Sequence, residues 1–235
     1  EDRAGELVVL RGEPPPPELV VVEHGVRFHV DLARGQKTGL FLDHRENRRH
    51  VGGIARDRTV LNLFAYTGGF SLHAARGGAR EVVSVDAAAP AIAAARDNFA
   101  LNGLPEHRHI AVADDAFAFL ERARAEERRF DLVITDPPSF ARSRSQQRAA
   151  LRSYARLHGA ALAVVAPGGL YAAASCTAQV SPTEFRATLA EGAARARCRL
   201  QLIHEAGQPL DHPVAAQHPE GRYLKFVVGR AIPVP

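Results

Sequence analysis

The stretch that decides the fold runs from Thr59 to Ala75 and reads TVLNLFAYTGGFSLHAA. A short apolar run, Val60 to Phe64, precedes a glycine pair and helix-forming leucine and alanine, a pattern typical of a buried strand, a tight turn and a helix. Gly68 and Gly69 let the backbone turn sharply and approach a ligand, and the first amides of a helix favour an anion. The stretch therefore predicts a binding turn, although a glycine pair is equally compatible with an ordinary strand-to-helix connection.

A carboxylate follows the next apolar strand. Val82 to Val85 lead into Asp86, about twenty residues after the first strand, where an acidic side chain can accept hydrogen bonds from both ribose hydroxyls of a nucleoside. The phosphate-binding pattern G-x-G-x-x-G is absent, which disfavours a dinucleotide or ATP. A cofactor without phosphates, such as S-adenosylmethionine, fits better, because its amino-acid carboxylate can take the place of phosphate at the turn.

Apolar strands alternate with alanine-rich helices from Thr59 onward. The predicted strands cover 59–64, 81–85, 108–113, 130–135 and 169–174, with helices around 70–77, 88–102, 116–127 and 145–165 and two closing strands at 199–204 and 223–228. This alternation predicts an α/β fold, a doubly wound parallel sheet with helices on both faces. Two strand-like runs around His24-Gly25 predict a β-hairpin before it. We expect an extended segment and hairpin appendage over 1–34 and the main domain over 35–235.

Composition limits the class of protein. The chain has 235 residues, 46% of them hydrophobic, which is enough for a full core, and it has neither a run of membrane-spanning length nor a signal pattern. Two widely spaced cysteines, Cys176 and Cys198, predict a reducing cytoplasm. The net charge of +4 gives modest support for a polyanionic partner. Because the chain contains no methionine, we expect further sequence before residue 1.

Ligands of such folds bind beyond the carboxyl ends of the parallel strands. These ends carry Tyr66 to Gly69, Asp86, Asp114-Asp115, Asp136-Pro137-Pro138 and Ser175-Cys176-Thr177. Each aspartate can instead cap the following helix, most plainly Asp115 before Ala116. Because the carboxylates converge on one edge of the sheet, we favour cofactor contact, with Asp115 accepting a hydrogen bond from an adenine amino group.

The dipeptide Pro137-Pro138 predicts a rigid turn, since successive prolines exclude a helix or sheet interior. Such a turn exposes Asp136 and can hold a flat base against Phe140. Cys176, at the end of the next strand, becomes a spatial neighbour of Asp136, and we interpret it as a nucleophile that attacks as the thiolate. Cys198 is interpreted as a small buried hydrophobic residue.

One loop combines glycines with Lys37, in a chain whose basic residues are almost all arginine. A lysine in such a loop favours a specific point-charge contact. The charged helix that follows, with Arg45, Arg48 and Arg49, is equally well explained as a solvated helix face.

Several motifs together carry a family resemblance. They are LNLFAYTGGFSLHAA, the SVD that ends at Asp86, DLVITDPPSFARS, AASCT, GQKTGLFLDHRENR, DHPV and PEGRYLK. From about Gly12 to Arg230 the chain resembles bacterial 23S ribosomal RNA cytosine-C5 methyltransferases. Most of these carry an N-terminal PUA domain, so we expect this sequence to be either a fragment or a member of a branch without that domain. The resemblance implies a class I S-adenosylmethionine-dependent methyltransferase with a seven-stranded Rossmann-like sheet, acting on RNA, with ribosomal RNA the expected target.

The resemblance also implies the site residues. The cofactor contacts would be Lys37, Phe41, Phe64, Tyr66, Gly68, Gly69, Asp86, Asp115, Asp136 and Pro137. Cys176 and Asp136 would be catalytic, and Arg45, Pro138 and Phe140 would contact the substrate. Chemistry agrees, because C5 of cytosine is not nucleophilic until a thiolate adds at C6. Cys176 would add there while Asp136 supports the negative charge in the ring, and the base that removes the C5 proton is unidentified.

Two alternatives remain open. D-P-P turns beside an aromatic residue also serve methylation of an exocyclic amine, or of a small molecule, without a cysteine. A binding module could use the same pocket to read RNA without catalysis. Cys176 argues against both, and the cofactor turn argues against the second. The expected protein is cytoplasmic, with neither a metal nor a membrane partner, and a homodimer is a possible assembly.

Overall fold

The computed structural model describes residues 9–16, 18–32, 35, 39–218 and 221–234. Within these ranges the strands are β1 (Leu19–Glu23), β2 (Val26–Val30), β3 (Thr59–Leu63), β4 (Glu81–Asp86), β5 (His109–Ala113), β6 (Phe130–Thr135), β7 (Val165–Ser175), β8 (Cys198–Ala206) and β9 (Lys225–Pro233). The helices are α1 (Arg45–Ile54), α2 (Gly69–Arg76), α3 (Ala89–Leu101), α4 (Ala116–Ala125), α5 (Gln147–Leu162) and α6 (Pro182–Arg195). Helices and strands therefore alternate from β3 to β8, as predicted.

The main sheet has seven strands in the order β5-β4-β3-β6-β7-β9-β8. Strands β3 to β7 pair in parallel, whereas β9 is antiparallel to both β7 and β8. The predicted Rossmann-like fold is confirmed. The strand order reverses between β3 and β6, and the carboxyl ends flanking such a reversal form the ligand-binding crevice of doubly wound sheets.

Two hydrophobic cores sandwich the sheet, because the residues of β3 alternate between its faces. Leu61 and Leu63 pack in the core with helices α4, α5 and α6, whereas Val60 packs in the core that contains Leu72 of α2 and Phe99 of α3. Strands buried on both faces read as continuous apolar runs. This burial is the physical reason why the run after Thr59 folds as a central strand.

The predicted hairpin is present as β1 and β2, which pair antiparallel with Glu23 opposite Val26. His24 and Gly25 connect them with φ angles of 47° and 79°, the left-handed backbone that two-residue hairpin turns require. Phe28 is fully buried in the same core as Leu72. The hairpin thus covers the helices on one face of the sheet.

Buried polar contacts fix the hairpin as well. The carboxylate of Glu23 accepts from Nε and Nη2 of Arg48 at 2.7 and 2.6 Å and lies 3.0 Å from Nε2 of His73. These contacts outweigh burial and lower the pKa of Glu23 to about 2. The arginine in turn donates to the carbonyl of Phe41 at 2.9 Å, so the hairpin is linked to the segment that enters the site.

Two predicted boundaries are wrong. Val165 was expected to end a helix, but it begins β7 and pairs with Phe130. The strand continues through Gly168 and Gly169, where its register against β6 shifts, because glycine permits an irregularity that sequence pattern reads as a break. The last strand begins at Lys225 rather than Tyr223 and continues to Pro233.

Candidate active site

The turn between β3 and α2 has an unusual backbone. Phe64 and Tyr66 have φ angles of 58° and 48°, and Gly68 has 85°. Positive φ is uncommon outside glycine and collects at functional sites. A Cβ atom at Gly68 would also lie 3.1 Å from the Cβ of Ala95, so only glycine fits both the angle and the space.

Asp86 supports this turn from the neighbouring strand. Its Oδ2 accepts a hydrogen bond from the amide of Tyr66 at 2.8 Å, and its Oδ1 accepts from the amide of Ala88 at 2.9 Å. A carboxylate has about four acceptor sites. The partly exposed Asp86 therefore keeps acceptor capacity for a ribose while it positions the turn.

The residues at this crevice fit S-adenosylmethionine. Helix α2 begins at Gly69 after Gly68, and no side chain in the described part of the chain caps it, so its first amides and dipole suit the carboxylate of the cofactor. Asp86 offers acceptors for ribose hydroxyls. Phe41 packs edge-on against Tyr66 with ring centroids 5.5 Å apart, which adds an aromatic wall.

Asp115 has the structural role that was its alternative interpretation. It is the N-cap of α4, with Oδ1 accepting from the amides of Phe117 and Ala118 at 2.9 and 3.0 Å. Its neighbour Asp114 is ion-paired with Arg122, which holds the pKa of that carboxyl below its usual value. Asp115 remains exposed at the strand edge, and its contact with adenine remains a prediction.

Asp136 leaves the end of β6 and meets a buried histidine. The Nε2 atom of His44 lies 3.4 Å from Oδ1 of Asp136. The side-chain nitrogen of Asn47 lies 3.2 Å from Nδ1 of His44 and 3.4 Å from the carbonyl oxygen of Gly207. A carbonyl only accepts, so this orientation of the amide makes Nδ1 an acceptor. With Nδ1 as an acceptor, Nε2 is the ring nitrogen that carries a proton, and it lies at ion-pair distance from Oδ1 of Asp136.

A buried hydroxyl network fixes the backbone on both sides of Cys176. The Tyr154 hydroxyl lies 2.9 Å from Oγ of Ser175 and 2.8 Å from Oγ1 of Thr177. The latter also lies 3.1 Å from Oγ of Ser139 in the proline turn. Cys176 is therefore tied to the turn that follows Asp136.

Tyr154 lies within electrostatic range of both Cys176 and Asp136. Burial, with smaller contributions from the charges of Cys176 and Asp136, raises the pKa of Tyr154 to about 12. The charges of both predicted catalytic residues thus affect the pKa of one phenol. The closeness of Cys176 to Asp136 stays a prediction, and the hydroxyl network that links their neighbouring residues supports it.

Lys225 is a buried cation beside the same cysteine. Its Nζ donates to the carbonyls of Thr177 and Tyr223, both at 2.7 Å, and the residue is only 4% exposed. Burial lowers its pKa to about 8, while the charges of Cys176 and Glu184 oppose that decrease. A nearby ammonium group favours the thiolate form of a cysteine.

The segment after Phe41 connects the site to the C-terminal strands. Tyr223 donates its hydroxyl proton to Oδ2 of Asp43 at 2.7 Å, and burial followed by this contact raises the pKa of the tyrosine. Arg45, a predicted substrate contact, lies 2.5 Å from Oδ2 of Asp211 and 3.1 Å from Oε1 of Glu46. Its guanidinium is thus held at the edge of the site by carboxylates.

The remaining predicted residues occupy defined places. Pro137 is buried and Pro138 exposed. The partly buried Phe140 lies against Tyr154, with ring centroids 4.7 Å apart. Lys37 lies outside the described residues. Within the described ranges no cluster of three or more His, Cys, Asp or Glu could hold a metal ion, and none of the helices there is long and apolar enough to cross a membrane.

Sequence reasoning missed the residues that support the two catalytic candidates, namely His44, Asn47, Tyr154 and Lys225. Lys225 carried one signal, since it and Lys37 are the lysines of the chain. The others had none, because the contacts that place them in the site, to Asp136, Gly207, Ser175 and Thr177, join residues distant in sequence.

A doubly wound sheet with a glycine turn, a ribose-type carboxylate and a polar crevice defines the class of α/β enzymes that bind a nucleoside cofactor. The sequence pattern of the S-adenosylmethionine-dependent methyltransferases matches residues 2–222. The chain belongs to that family, and S-adenosylmethionine is its cofactor.

Curated relatives agree with this assignment. The chain is 40% identical over 224 residues to the ribosomal RNA large subunit methyltransferase I of Erwinia tasmaniensis, covering 95% of this chain and 57% of the relative. It is 42% identical over 219 residues to a ribosomal RNA large subunit methyltransferase of Deinococcus radiodurans, covering 93% and 53%. The chain thus spans a little over half the length of these relatives.

Solved structures share the fold. The crystal structure of SMU.776 complexed with SAH is 31% identical, with a TM-score of 0.86, and the match covers 94% of this chain and 58% of that one. The SAM-dependent methyltransferase from Agrobacterium tumefaciens is 22% identical, with a TM-score of 0.70 and coverage of 94% and 72%. The second likeness concerns the fold alone.

Proposed function

We propose that this chain is the catalytic part of an RNA methyltransferase that modifies C5 of a cytosine in large-subunit ribosomal RNA. The observation that carries the proposal is the hydroxyl network that joins both chain neighbours of Cys176 to Ser139 in the proline turn after Asp136. The two curated relatives act on ribosomal RNA of the large subunit by name. Methylation at carbon, rather than nitrogen, explains a thiol at this place.

The cofactor would be held by residues of three strand ends. Phe64, Tyr66, Gly68 and Gly69 would surround its amino-acid part, with Asp86 accepting from the ribose. Asp115 would accept from the adenine amino group through the carboxylate oxygen that does not cap α4. Phe41 and Pro137 would border the pocket. When bound, S-adenosylmethionine supplies an electrophilic methyl group.

Cys176 would start the chemistry on the base. Its thiolate sulfur bonds to C6 of cytosine, and the electron pair of the C5–C6 double bond moves onto C5 and into the ring. The carboxyl of Asp136, protonated before the attack, would pass its proton to the ring nitrogen N3 as negative charge develops there and take it back once C5 is methylated. After C5 has been methylated, loss of the C5 proton returns an electron pair to the ring and expels the sulfur of Cys176.

His44 and Lys225 would assist these two groups without contacting the base. The Nε2 proton of His44 would hold the Asp136 carboxyl in one orientation through the 3.4 Å contact. The buried ammonium of Lys225 would favour the thiolate of Cys176. A base reaches such a pocket only when it is unstacked from its neighbours.

The competing proposal is methylation of an exocyclic amine, for which Asp136 and the proline turn would suffice. It leaves a network of Tyr154, Ser175 and Thr177 around Cys176 without a chemical purpose. The third possibility, a binding module without catalysis, does not require a thiol either. Both alternatives predict that Cys176 is dispensable.

Nucleoside mass spectrometry tests the proposal. The purified chain, incubated with S-adenosylmethionine and protein-free large-subunit ribosomal RNA, should produce 5-methylcytidine after digestion of the RNA. The same assay with Cys176→Ala should produce none. Formation of an N-methylated nucleoside by both proteins would instead support the amine alternative.

A further inference from the structure

One long part of the chain lacks acidic residues. From Pro137 to Thr183 the sequence contains no aspartate or glutamate, yet it contains arginines at 142, 144, 148, 152 and 156. All five are exposed. The segment starts in the proline turn after Asp136 and continues along α5, so its own charged side chains are all basic.

Four of these arginines form what we call the arginine ridge: Arg142, Arg144, Arg148 and Arg152. Residues 148 and 152 are one helical turn apart on α5, a rise of about 6 Å, and Arg144 begins the 3-10 turn directly before that helix. The fifth, Arg156, lies 4.5 Å above the Phe117 ring and is left out. The opposite face of α5 is buried and includes Tyr154, the phenol that senses Cys176.

The ridge has no structural counter-charge. In the part of the chain that the structure describes, none of the four guanidinium groups has an ion-pair partner, and like charges one helical turn apart destabilise a helix. Arginines on α4, by contrast, have carboxylates nearby. On α4, Arg122 pairs with Asp114 and Arg124 stands close in sequence to Glu121 and Glu126. The ridge therefore fits an external polyanion better than a role in folding.

We propose that the arginine ridge binds consecutive phosphates of the RNA strand that delivers the target nucleotide to the pocket. This inference rests on the proposed function. A guanidinium binds phosphate through two parallel hydrogen bonds, and the ridge leads directly into the turn that carries Asp136 and Phe140. A strand bound along it would enter the site from the α5 side.

The first test measures affinity for a fluorescein-labelled single-stranded oligoribonucleotide by anisotropy at several salt concentrations. The proteins are the wild type, Arg144→Ala, Arg148→Ala and the double variant, with Arg124→Ala as the control at the far end of α4. Each phosphate contact contributes about −0.7 to the slope of log K against log salt for a single strand. For the double variant, the slope of log K against log salt should therefore be less steep by about 1.4. The slope for the control should match that of the wild type.

A second readout separates this inference from the proposed function. In the methylation assay the ridge variants should raise the KM for RNA while kcat and S-adenosylmethionine affinity stay unchanged, because phosphate contacts bind substrate and transition state equally. Unchanged slope and KM in an enzyme that makes 5-methylcytidine would overturn the ridge alone. If the wild type makes no 5-methylcytidine but the ridge variants still bind the oligonucleotide more weakly than the wild type, the proposed function would be overturned and the ridge supported. Equal competition by polyglutamate would show a non-selective anionic site and overturn the ridge.

Discussion

The Nε2 atom of His44 lies 3.4 Å from Oδ1 of Asp136, although the two residues are far apart in the sequence. His44 precedes α1, whereas Asp136 follows β6. Asn47 holds the other ring nitrogen at 3.2 Å. This pair of contacts gives the histidine one orientation and one tautomer, and it makes His44 a positioning residue for Asp136.

We expect His44→Ala to lower kcat about tenfold to a hundredfold. Catalytic contacts that are long in the free enzyme tighten when substrate binds, and a hydrogen bond to a charged group then contributes about 1.5 to 3 kcal/mol, which corresponds to that range of rates. His44→Gln, which can place an amide donor near the Nε2 position, should recover part of the rate. Affinity for S-adenosylmethionine, measured by calorimetry, should not change.

The matched control is His50→Ala, in the middle of α1, where the partly buried ring stacks on His204. It should leave kcat unchanged. Equal loss of rate in the Ala and Gln variants, accompanied by a lower melting temperature, would mean that His44 only packs.

Lys225→Met should make Cys176 less reactive. The ammonium of Lys225 favours the thiolate, so its removal should decrease the thiolate fraction of Cys176 near neutral pH. Because burial lowers the lysine pKa to about 8, its charge, and hence the support, disappears as the pH rises through that value. The measurement is the rate of iodoacetamide alkylation followed by peptide mass spectrometry between pH 6 and 9.

Cys198, whose pKa burial raises, is the internal reference in the same digest, and its alkylation should not respond to Lys225→Met. Wild-type alkylation of Cys176 that is slower than that of Cys198 throughout the range would contradict this role for Lys225, whatever the stability of the variant.

Asp86→Ala should weaken S-adenosylmethionine binding about tenfold to a hundredfold, since it removes charged acceptors worth about 1.5 to 3 kcal/mol. It also leaves the amides of Tyr66 and Ala88 without their partner. Asp86→Asn, which keeps one acceptor oxygen, should lose less affinity for S-adenosylmethionine than Asp86→Ala. Calorimetry with S-adenosylmethionine and with NAD distinguishes the outcomes, because tight NAD binding by the wild type would contradict the cofactor assignment.

His158 should make the fold sensitive to acid. Complete burial lowers its pKa from an ordinary 6.5 to about 3, while its Nδ1 stays 2.7 Å from the Tyr171 hydroxyl. As the pH falls from about 6.5 towards 3, the unfolded chain binds a proton that the native state does not. The free energy of unfolding should therefore decrease by about 1.4 kcal/mol per pH unit from this residue.

His158→Asn removes the titrating group and should flatten the dependence of unfolding free energy on pH between 6 and 4 by that amount, as measured by urea denaturation. His107→Asn, at an exposed position, should keep the wild-type slope. Parallel curves for His158→Asn and the wild type would show that another group controls acid unfolding.

The sequence predicted the strand ends well because their signals are local. Asp86, Asp136 and Cys176 each follow an apolar run, and parallel pairing then requires their convergence. The supporting residues could not be predicted. Lys225 reaches Thr177 only because β9 inserts antiparallel between β7 and β8, and no periodicity encodes that order. Val165 was misassigned because Gly168 and Gly169 resemble a break, although the strand continues through them.

Covalent trapping tests the central claim, that Cys176 attacks C6 of a cytosine to activate C5. RNA that carries 5-fluorocytidine at the target can accept the methyl group but has no C5 proton to lose, so the sulfur cannot leave. With S-adenosylmethionine present, the wild type and Cys198→Ser should form a protein–RNA adduct that survives denaturing electrophoresis, with the RNA attached to the Cys176 peptide. Cys176→Ala should form no adduct and no 5-methylcytidine, while its S-adenosylmethionine affinity stays normal. Near-normal methylation of RNA by Cys176→Ala would contradict the account.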